Sequence, residues 1–274
     1  MSVSKSDIGK VLIDLGINKK PVCVHSSLSS FGWIDGGAET IVQGFLNEEC
    51  TLLVPTFSDA FSVFPPEHLR PSQNGCGDYS WLTNDNSKEM NYIYSPTSNE
   101  VDIEMGAIPK TILRLKNRLR GNHPLNSFTA IGSYAEELIS KQAPLNVYAP
   151  LKAIAELGGY VVLMGVNFNR LTLIHLAEQM AGRNLFRRWA KDSKGLTIEV
   201  EVGGCSEGFI KLQDVLMPVT KKVKVGQSEW NVLDVNSMLK ISENAIRNNP
   251  MITHCGDYRC DRCNDAVKGG PILA

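Results

Sequence analysis

A histidine and a glutamate stand three positions apart in the segment LTLIHLAEQMAG, residues 171–182. The apolar residues of this segment have helical spacing, and on a helix His175 and Glu178 would share one face. A carboxylate at hydrogen-bonding range fixes the tautomer of an imidazole and makes it a better proton acceptor. The pair therefore predicts a general base. A structural histidine on an amphipathic helix is the alternative that this segment alone leaves open.

Hydroxyl and imidazole groups follow two short apolar runs that indicate buried strands. The run in PVCVHSS ends in His25, Ser26 and Ser27, and the run in TLLVPTFS is followed by Thr56. Sites in α/β proteins commonly form at the carboxyl ends of strands. These groups could therefore donate hydrogen bonds to a phosphate, although turn-forming serines at a strand end are an equally acceptable interpretation.

A third imidazole stands in GNHPLNSF, where Pro124 follows His123 and forces it into an extended conformation. The basic residues of the range 114–120 come just before it. Pro124 would end the preceding helix, and the imidazole of His123 would lie near the basic side chains of residues 114–120. Ordinary helix termination beside a solvated basic face is the alternative.

The carboxyl-terminal part of the chain carries a cysteine cluster in THCGDYRCDRCNDA. Cys255, Cys260 and Cys263, with His254 beside the first of them, offer soft ligands of the kind that structural zinc prefers. A structural zinc site is therefore one expectation. Free thiols in a reducing compartment are the other, and a redox motif fits less well because no clear strand precedes the Cys-x2-Cys pair.

Composition excludes several classes of protein. The chain has 274 residues with a formal net charge of -1, and 43% of its residues are hydrophobic. With a net charge this close to zero, the protein as a whole has no electrostatic attraction to nucleic acid or to an anionic membrane. The sequence contains no apolar run of membrane-spanning length and no signal-peptide core at its start. We therefore expect a cytoplasmic protein.

The order of the predicted elements indicates an α/β fold with a layered, mixed sheet flanked by helices. Strand-like and helix-like segments alternate through residue 182, and half-exposed strands near the end predict an antiparallel C-terminal portion. We expect a single domain over residues 1–274, with a long loop at 65–96 and a Cys-rich segment at 250–266.

Several of these segments together resemble, in order, the aminoglycoside 3-N-acetyltransferase family, whose antibiotic N-acetyltransferase fold differs from the GNAT fold. The resemblance covers roughly residues 20–190 and rests on the following segments: HSSLSSFGWIDGG, TLLVPTFS, YSPTSNEVDIEMGAIPKTILR, NHPLNSFTAIG and LMGVNFNRLTLIHLAE.

The resemblance implies transfer of an acyl group from acyl-CoA, as co-substrate, to the amino group of an amino sugar. It implies His175 as catalytic base with Glu178 as its companion, and places Thr56 in the active-site wall. It implies a coenzyme A site lined by these residues: His25, Ser26, Ser27, His123, Pro124 and Ser127. Direct attack of the amine on the thioester, without a covalent enzyme intermediate, is the expected route.

The acceptor is less narrowly defined. The nearly neutral chain and its basic ranges 114–120 and 183–188 favour an anionic acceptor, a nucleotide-linked (dTDP) amino sugar, with an aminoglycoside as the alternative. A non-catalytic CoA-binding or nucleotide-binding protein and a zinc-stabilised interaction module are rival classes. We expect small-molecule partners, no nucleic acid and no membrane, and we leave a homo-oligomer open.

Overall fold

A computed structural model describes residues 2–80 and 92–273. The strands are β1 (Pro21–Ser26), β2 (Thr51–Pro55), β3 (Leu119–Arg120), β4 (Phe128–Ile131), β5 (Tyr160–Met164), β6 (Phe186–Lys191), β7 (Thr197–Val202), β8 (Lys221–Val225) and β9 (Ser228–Asp234). The α-helices are α1 (Lys5–Leu15), α2 (Gly37–Asn47), α3 (Ala107–Leu113), α4 (Ala135–Ile139), α5 (Ala149–Glu156), α6 (Leu173–Met180), α7 (Gln213–Leu216), α8 (Val235–Asn248) and α9 (Asp261–Val267).

The main sheet is mixed and has the strand order β3-β4-β2-β1-β5-β9-β8. Strand β1 pairs in parallel with β2 on one side and with β5 on the other. The outer strands on both sides are antiparallel, and β6 and β7 form a separate two-stranded antiparallel sheet. The predicted mixed α/β fold with an antiparallel C-terminal portion is thus confirmed.

Both faces of the three central strands of the main sheet, β1, β2 and β5, are buried. Along β5, Val161 and Leu163 pack into one core cluster, while Val162 and Met164 pack into the other. Because successive side chains of a strand point to opposite faces, a continuous apolar run is what a sheet covered on both sides requires. Helices α1, α2 and α3 supply residues to one cluster, and α4, α5, α6 and α8 supply residues to the other.

Two local predictions differ from the structure. The sequence suggests a capping box from Ser133 to Glu136, but α4 begins after Tyr134, whose backbone N–H donates to Thr51 Oγ1 instead. The apolar spacing of residues 105–119 predicts a helix over that range, but α3 ends at Leu113. The side chain of Arg118 folds back onto the carbonyl oxygens of residues 96–98, so the basic run belongs to a connecting segment and not to a helical face.

The predicted long loop at 65–96 is only partly described, because residues 81–91 lie outside the described residues. Its described part contains a short 3-10 turn at Glu67–Leu69, and Tyr79 packs edge-on against Trp189 of β6. Within the part of the chain that the structure describes, no helix has the length and apolarity needed to cross a membrane.

Candidate active site

A deep cleft opens where the three parallel strands end. Its volume is about 1030 Å³, which is at the upper end of the range of small-molecule sites. Ser27, Phe57 and Val166, each within two residues of the end of β1, β2 or β5, contribute to its walls, because parallel strands end at the same edge of the sheet. The lining includes four of the residues that the sequence singles out as site candidates: His25, Ser26, Ser27 and His175.

Helix α6 presents His175 to this cleft and holds Glu178 behind it. His175 Nδ1 lies 2.9 Å from Glu178 Oε2, and the two side chains are 9% and 8% exposed. A carboxylate oxygen can only accept, so the hydrogen bond requires the imidazole to carry its proton on Nδ1 when it is neutral. The Nε2 lone pair then remains free to accept a proton.

Arg183 completes a buried chain of charged groups behind the imidazole. Its guanidinium lies 2.5 Å from Glu178 Oε1, on the carboxylate oxygen that His175 does not use. The same guanidinium donates to Thr253 Oγ1 at 2.7 Å and to the Pro250 carbonyl at 2.6 Å. Arg183 therefore anchors Glu178, and Glu178 in turn orients the imidazole.

The ring of His175 packs against two aromatic side chains and against the backbone of Gly203. Its plane is parallel to that of Tyr148, with 6.1 Å between the ring centroids, and Phe209 approaches edge-on at 4.6 Å. A Cβ atom at Gly203 would lie 2.8 Å from His175 Nε2 and 2.5 Å from the Tyr148 hydroxyl. Only glycine therefore fits at position 203. Gly203 lines the cleft, so the Nε2 atom beside it lies at the wall of the cleft.

The phenol of Tyr148 also lines the cleft. Burial, followed by the negative charges of Glu178 and Glu201, raises the pKa of Tyr148 well above its usual value. Its hydroxyl therefore keeps its proton at neutral pH and can donate a hydrogen bond. Sequence reasoning missed this residue, since nothing in its local pattern distinguishes it from a core tyrosine.

The end of β1 supplies a neutral imidazole and hydroxyl groups. His25 is 6% exposed, and burial together with the charge of Arg170 lowers its pKa to about 4. The Ser27 hydroxyl lies 2.9 Å from that of Ser29. These groups line the cleft as neutral polar side chains, which suits them to hydrogen bonding with a polar substrate.

Thr56 and Ser127 lie beneath the cleft wall instead of on it. Both are fully buried, and Thr56 Oγ1 donates to the Ser127 carbonyl at 3.0 Å. Arg120 joins them, because its guanidinium donates to Ser127 Oγ at 2.9 Å and to the Thr56 carbonyl at 2.7 Å. Their neighbours in the chain, Pro55 and Asn126, line the cleft in their place.

His123 and Pro124 likewise lie outside the cleft lining. His123 is fully buried, and its Nδ1 accepts from the Asn126 N–H at 2.8 Å. Its Nε2 lies 2.8 Å from the Glu201 carbonyl, so the proton resides on Nε2 and both ring nitrogens are bonded. Burial lowers the pKa of this imidazole to about 4. The geometry fits a residue that pins the 123–126 loop against β7.

Charged side chains of both signs line the cleft. The acidic ones are Asp59 and Glu104, and the basic ones are Arg170, Arg188 and Arg262. The basic ranges expected to face an anionic acceptor contribute only Arg188 to this lining. Arg183 is bound to Glu178, as described above, and Arg187 lies 3.0 Å from Glu201.

The predicted metal-binding cysteines lie together near one end of the cleft. Cys255, Cys260 and Cys263 are joined by Cys205, which follows β7 and which the sequence pattern did not include. Their sulfur atoms all lie within 4.8 Å of one another. His254 does not join them, because its Nδ1 accepts from the Gly256 N–H and its Nε2 lies 3.0 Å from Asn264 Oδ1.

Known proteins resemble this chain in sequence and in fold. The sequence profile of the aminoglycoside 3-N-acetyltransferase family matches residues 23–247. The aminoglycoside N(3')-acetyltransferase-like protein YokD, derived from the SPbeta prophage of Bacillus subtilis (strain 168), is 32% identical over 183 residues. That alignment spans 64% of this chain and 64% of the length of the relative, which is slightly less than two thirds of each.

Two solved structures have the same fold. A mutant of the aminoglycoside acetyltransferase AAC(3)-IVa in complex with a gentamicin superposes with a TM-score of 0.77 at 23% identity, covering 98% of both chains. AAC-IIIb, in a binary complex with CoASH, superposes with a TM-score of 0.71 at 19% identity, covering 90% of this chain and 97% of its own. At such identities the likeness establishes the fold alone.

Proposed function

Since the chain belongs to the aminoglycoside 3-N-acetyltransferase family, we propose that it transfers an acetyl group from acetyl-coenzyme A to an amino group of an aminoglycoside. The observation that carries this proposal is the His175–Glu178 pair, whose free imidazole nitrogen lies at the wall of a cleft of about 1030 Å³. That volume can hold an amine next to the thioester end of the coenzyme.

His175 acts as the general base. The neutral amine nitrogen bonds to the thioester carbon, the carbon–sulfur bond breaks, and coenzyme A leaves as a thiolate, which then takes a proton from the imidazolium of His175 to become the thiol. His175 Nε2 takes the proton that the attacking nitrogen loses, and the neighbouring carboxylate of Glu178 stabilises the imidazolium that results. No covalent bond to the protein forms in this direct transfer.

Hydroxyl groups supply the donors for the negative charge that develops on the thioester oxygen. Ser26 and Ser27 lie at the end of β1, and Tyr148 lies beside the imidazole of His175. Preorganised donors in a partly desolvated cleft stabilise such an oxyanion more strongly than water does. We assign this role to the three hydroxyls together.

The coenzyme would lie along the side of the cleft formed by the end of β1. His25, Ser26 and Ser27 offer neutral polar contacts there, and the exposed Arg170 offers a positive charge for a phosphate group. AAC-IIIb binds CoASH on the same fold, which favours this assignment. We assign His123, Pro124, Ser127 and Thr56 to the support of the wall, because Leu125, Asn126 and Pro55 line it.

An aminoglycoside is the better-supported acceptor. The relatives are named for their action on aminoglycosides, and AAC(3)-IVa is solved with a gentamicin. The basic groups invoked for a nucleotide-linked acceptor are largely engaged within the protein, as Arg183 and Arg187 are. Asp59 and Glu104 remain on the cleft wall for contacts with the ammonium groups of an aminoglycoside.

The experiment is an acceptor panel with acetyl-CoA and the purified protein, scored by thiol release and by mass spectrometry of the product. Gentamicin should gain one acetyl group, and a dTDP-linked amino sugar and a no-acceptor control should remain unchanged. Acetylation of the nucleotide-linked sugar alone would reverse the choice of acceptor. Binding of acetyl-CoA without transfer to any amine would instead favour a non-catalytic coenzyme-binding protein.

A further inference from the structure

The four clustered cysteines come from two distant parts of the chain. Cys205 lies in the loop after β7, whereas Cys255, Cys260 and Cys263 lie around the start of α9. All four are free thiols, and their sulfur atoms lie within 4.8 Å of one another. The motif Cys-x4-Cys-x2-Cys supplies three cysteine ligands, and folding brings Cys205 to them as the fourth.

The spacing of the sulfur atoms suits one ion. Zinc binds thiolate sulfur at about 2.3 Å in tetrahedral geometry, so bound sulfurs lie about 3.8 Å apart. The separations of up to 4.8 Å need only small rotations of the cysteine side chains to reach that arrangement. Four thiolates around a closed tetrahedron are characteristic of structural zinc.

The surrounding backbone is arranged to support thiolates. The N–H of Cys255 points to Cys263 Sγ at 3.3 Å, which is a hydrogen bond that favours a charged sulfur. His254 ties the two halves of this segment together, since its ring binds both Gly256 and Asn264. The imidazole thus braces the backbone on either side of the cluster, while the four sulfur atoms lie close to one another.

A second contact joins the loop of Cys205 to the carboxyl-terminal segment. A Cβ atom at Gly208 would clash with the Thr253 carbonyl oxygen, so the two backbones approach each other closely. The Lys211 ammonium also donates to the His254 carbonyl at 2.6 Å. The cluster is therefore held by packing on both sides and does not rest on one exposed loop.

We propose that Cys205, Cys255, Cys260 and Cys263 bind one structural Zn²⁺ ion that fixes a wall of the cleft. Cys205 stands between Gly204 and Ser206, which line the cleft. Arg262, next to Cys263, lines it as well. Zinc would join these elements, and it would hold Gly203 against the ring of His175 without touching either substrate. Binding replaces the thiol protons, which leave to solvent.

The test measures metal content in the full-length chain, purified with a thiol reductant and without a chelator. We expect about one zinc ion per chain in the wild type and loss of most of it in Cys205→Ser and Cys260→Ser. Cys76→Ser is the matched control, because Cys76 is half-buried like Cys205 and Cys260 but lies outside the cluster, and it should retain the metal. Stoichiometric iron in place of zinc, or full zinc retention by Cys205→Ser, would overturn the proposal.

A second measurement does not depend on how well the variants fold. The wild-type protein, freed of zinc by a chelator under reducing conditions, is titrated with Co²⁺ and followed by absorption spectroscopy. Intense thiolate-to-cobalt charge-transfer and tetrahedral d–d bands should saturate at one equivalent and disappear on addition of Zn²⁺. Wild-type protein that contains no zinc and develops no such bands rules the site out. Neither readout involves acetyl transfer, so the metal site and the proposed activity can fail independently.

Discussion

The imidazole of His175 and the carboxylate of Glu178 are joined by a 2.9 Å hydrogen bond within one turn of α6. The bond directs the Nδ1 proton inward, and Gly203 leaves space at the opposite nitrogen. This relationship orients the imidazole at the wall of the cleft, as the proposed role of general base requires. Substitutions at these two residues should therefore change kcat more than they change the binding of acetyl-CoA.

Replacing His175 by alanine should remove the base and leave the coenzyme site in place. We expect kcat to fall about 10²- to 10⁴-fold, the usual contribution of a general base, while the Kd for acetyl-CoA changes little. Steady-state kinetics and calorimetric titration measure the two quantities. His68→Ala serves as a control, since His68 is an exposed histidine outside the cleft lining. A near-normal kcat in His175→Ala would remove the base assignment.

Replacing Glu178 by glutamine tests the orientation of the imidazole. The amide can donate to Nδ1, which favours the tautomer with its proton on Nε2 and blocks proton acceptance there. We expect kcat to fall about 10²- to 10⁴-fold. Steady-state kinetics of the variant beside the wild type measure this loss.

The same substitution leaves the buried guanidinium of Arg183 without its carboxylate. We expect the free energy of unfolding to fall by about 3–5 kcal/mol, as measured by urea titration. Adding Arg183→Met should recover much of that stability without restoring kcat. Recovery of activity along with stability would mean that Glu178 serves the fold and not the base.

A methyl group at Gly203 should disturb the base sterically. The new Cβ would lie 2.5 Å from the Tyr148 hydroxyl and 2.6 Å from His175 Cδ2, so one ring must move. Because the position of the base decides the rate, we expect Gly203→Ala to lower kcat about 10²-fold or more. Gly9→Ala in α1 is the matched control, where the new Cβ meets only the end of the Glu48 side chain. Equal kinetics for the two variants would contradict this geometry.

Removing an acidic charge from the cleft wall should weaken the binding of a polycation. Glu104 is exposed and lines the cleft, so we expect Glu104→Gln to raise the KM for gentamicin about two- to fivefold with kcat nearly unchanged. Added salt should shrink the difference between variant and wild type. Glu39→Gln, on the exposed face of α2 and outside the lining, is the control. An unchanged KM would place the amine elsewhere in the cleft.

Acid should destabilise the protein through its buried neutral histidines. The pKa of His123 is about 4 in the folded protein, because burial disfavours the charged ring, whereas an unfolded histidine titrates near pH 6.5. Below pH 6.5 the unfolded chain therefore binds the proton more readily, and stability falls until the pH approaches the folded pKa. This residue should account for a loss of about 2 kcal/mol between pH 7 and pH 5.

The measurement is urea unfolding of wild type, His123→Gln and His68→Gln at both pH values. The loss should be smaller by about that amount in His123→Gln, whereas His68→Gln, altered at an exposed site, should follow the wild type. An identical change in the free energy of unfolding between the two pH values in all three proteins would show that His123 does not cause the loss of stability in acid.

Local pattern was enough for the helices and strands that carry their own apolar periodicity. The spacing of His175 and Glu178 predicted their contact, because residues three apart on a helix always share a face. The continuous apolar run of residues 160–166 predicts a buried strand, and β5 forms there. The predicted capping box of α4 was wrong, because the N–H of Tyr134 binds the distant side chain of Thr51 and the helix begins after Tyr134.

The sequence by itself determined the family, the alternation of helix and strand, and the pairing of His175 with Glu178, because each depends on residues close together in the chain. Only the tertiary structure decided which other residues surround this pair. Gly203, Tyr148 and Arg183 reach His175 or Glu178 from separate segments, and Cys205 joins cysteines about fifty residues further along the chain. Such contacts come from how the layers pack around the sheet, and no local spacing encodes which distant side chain will fill a given space.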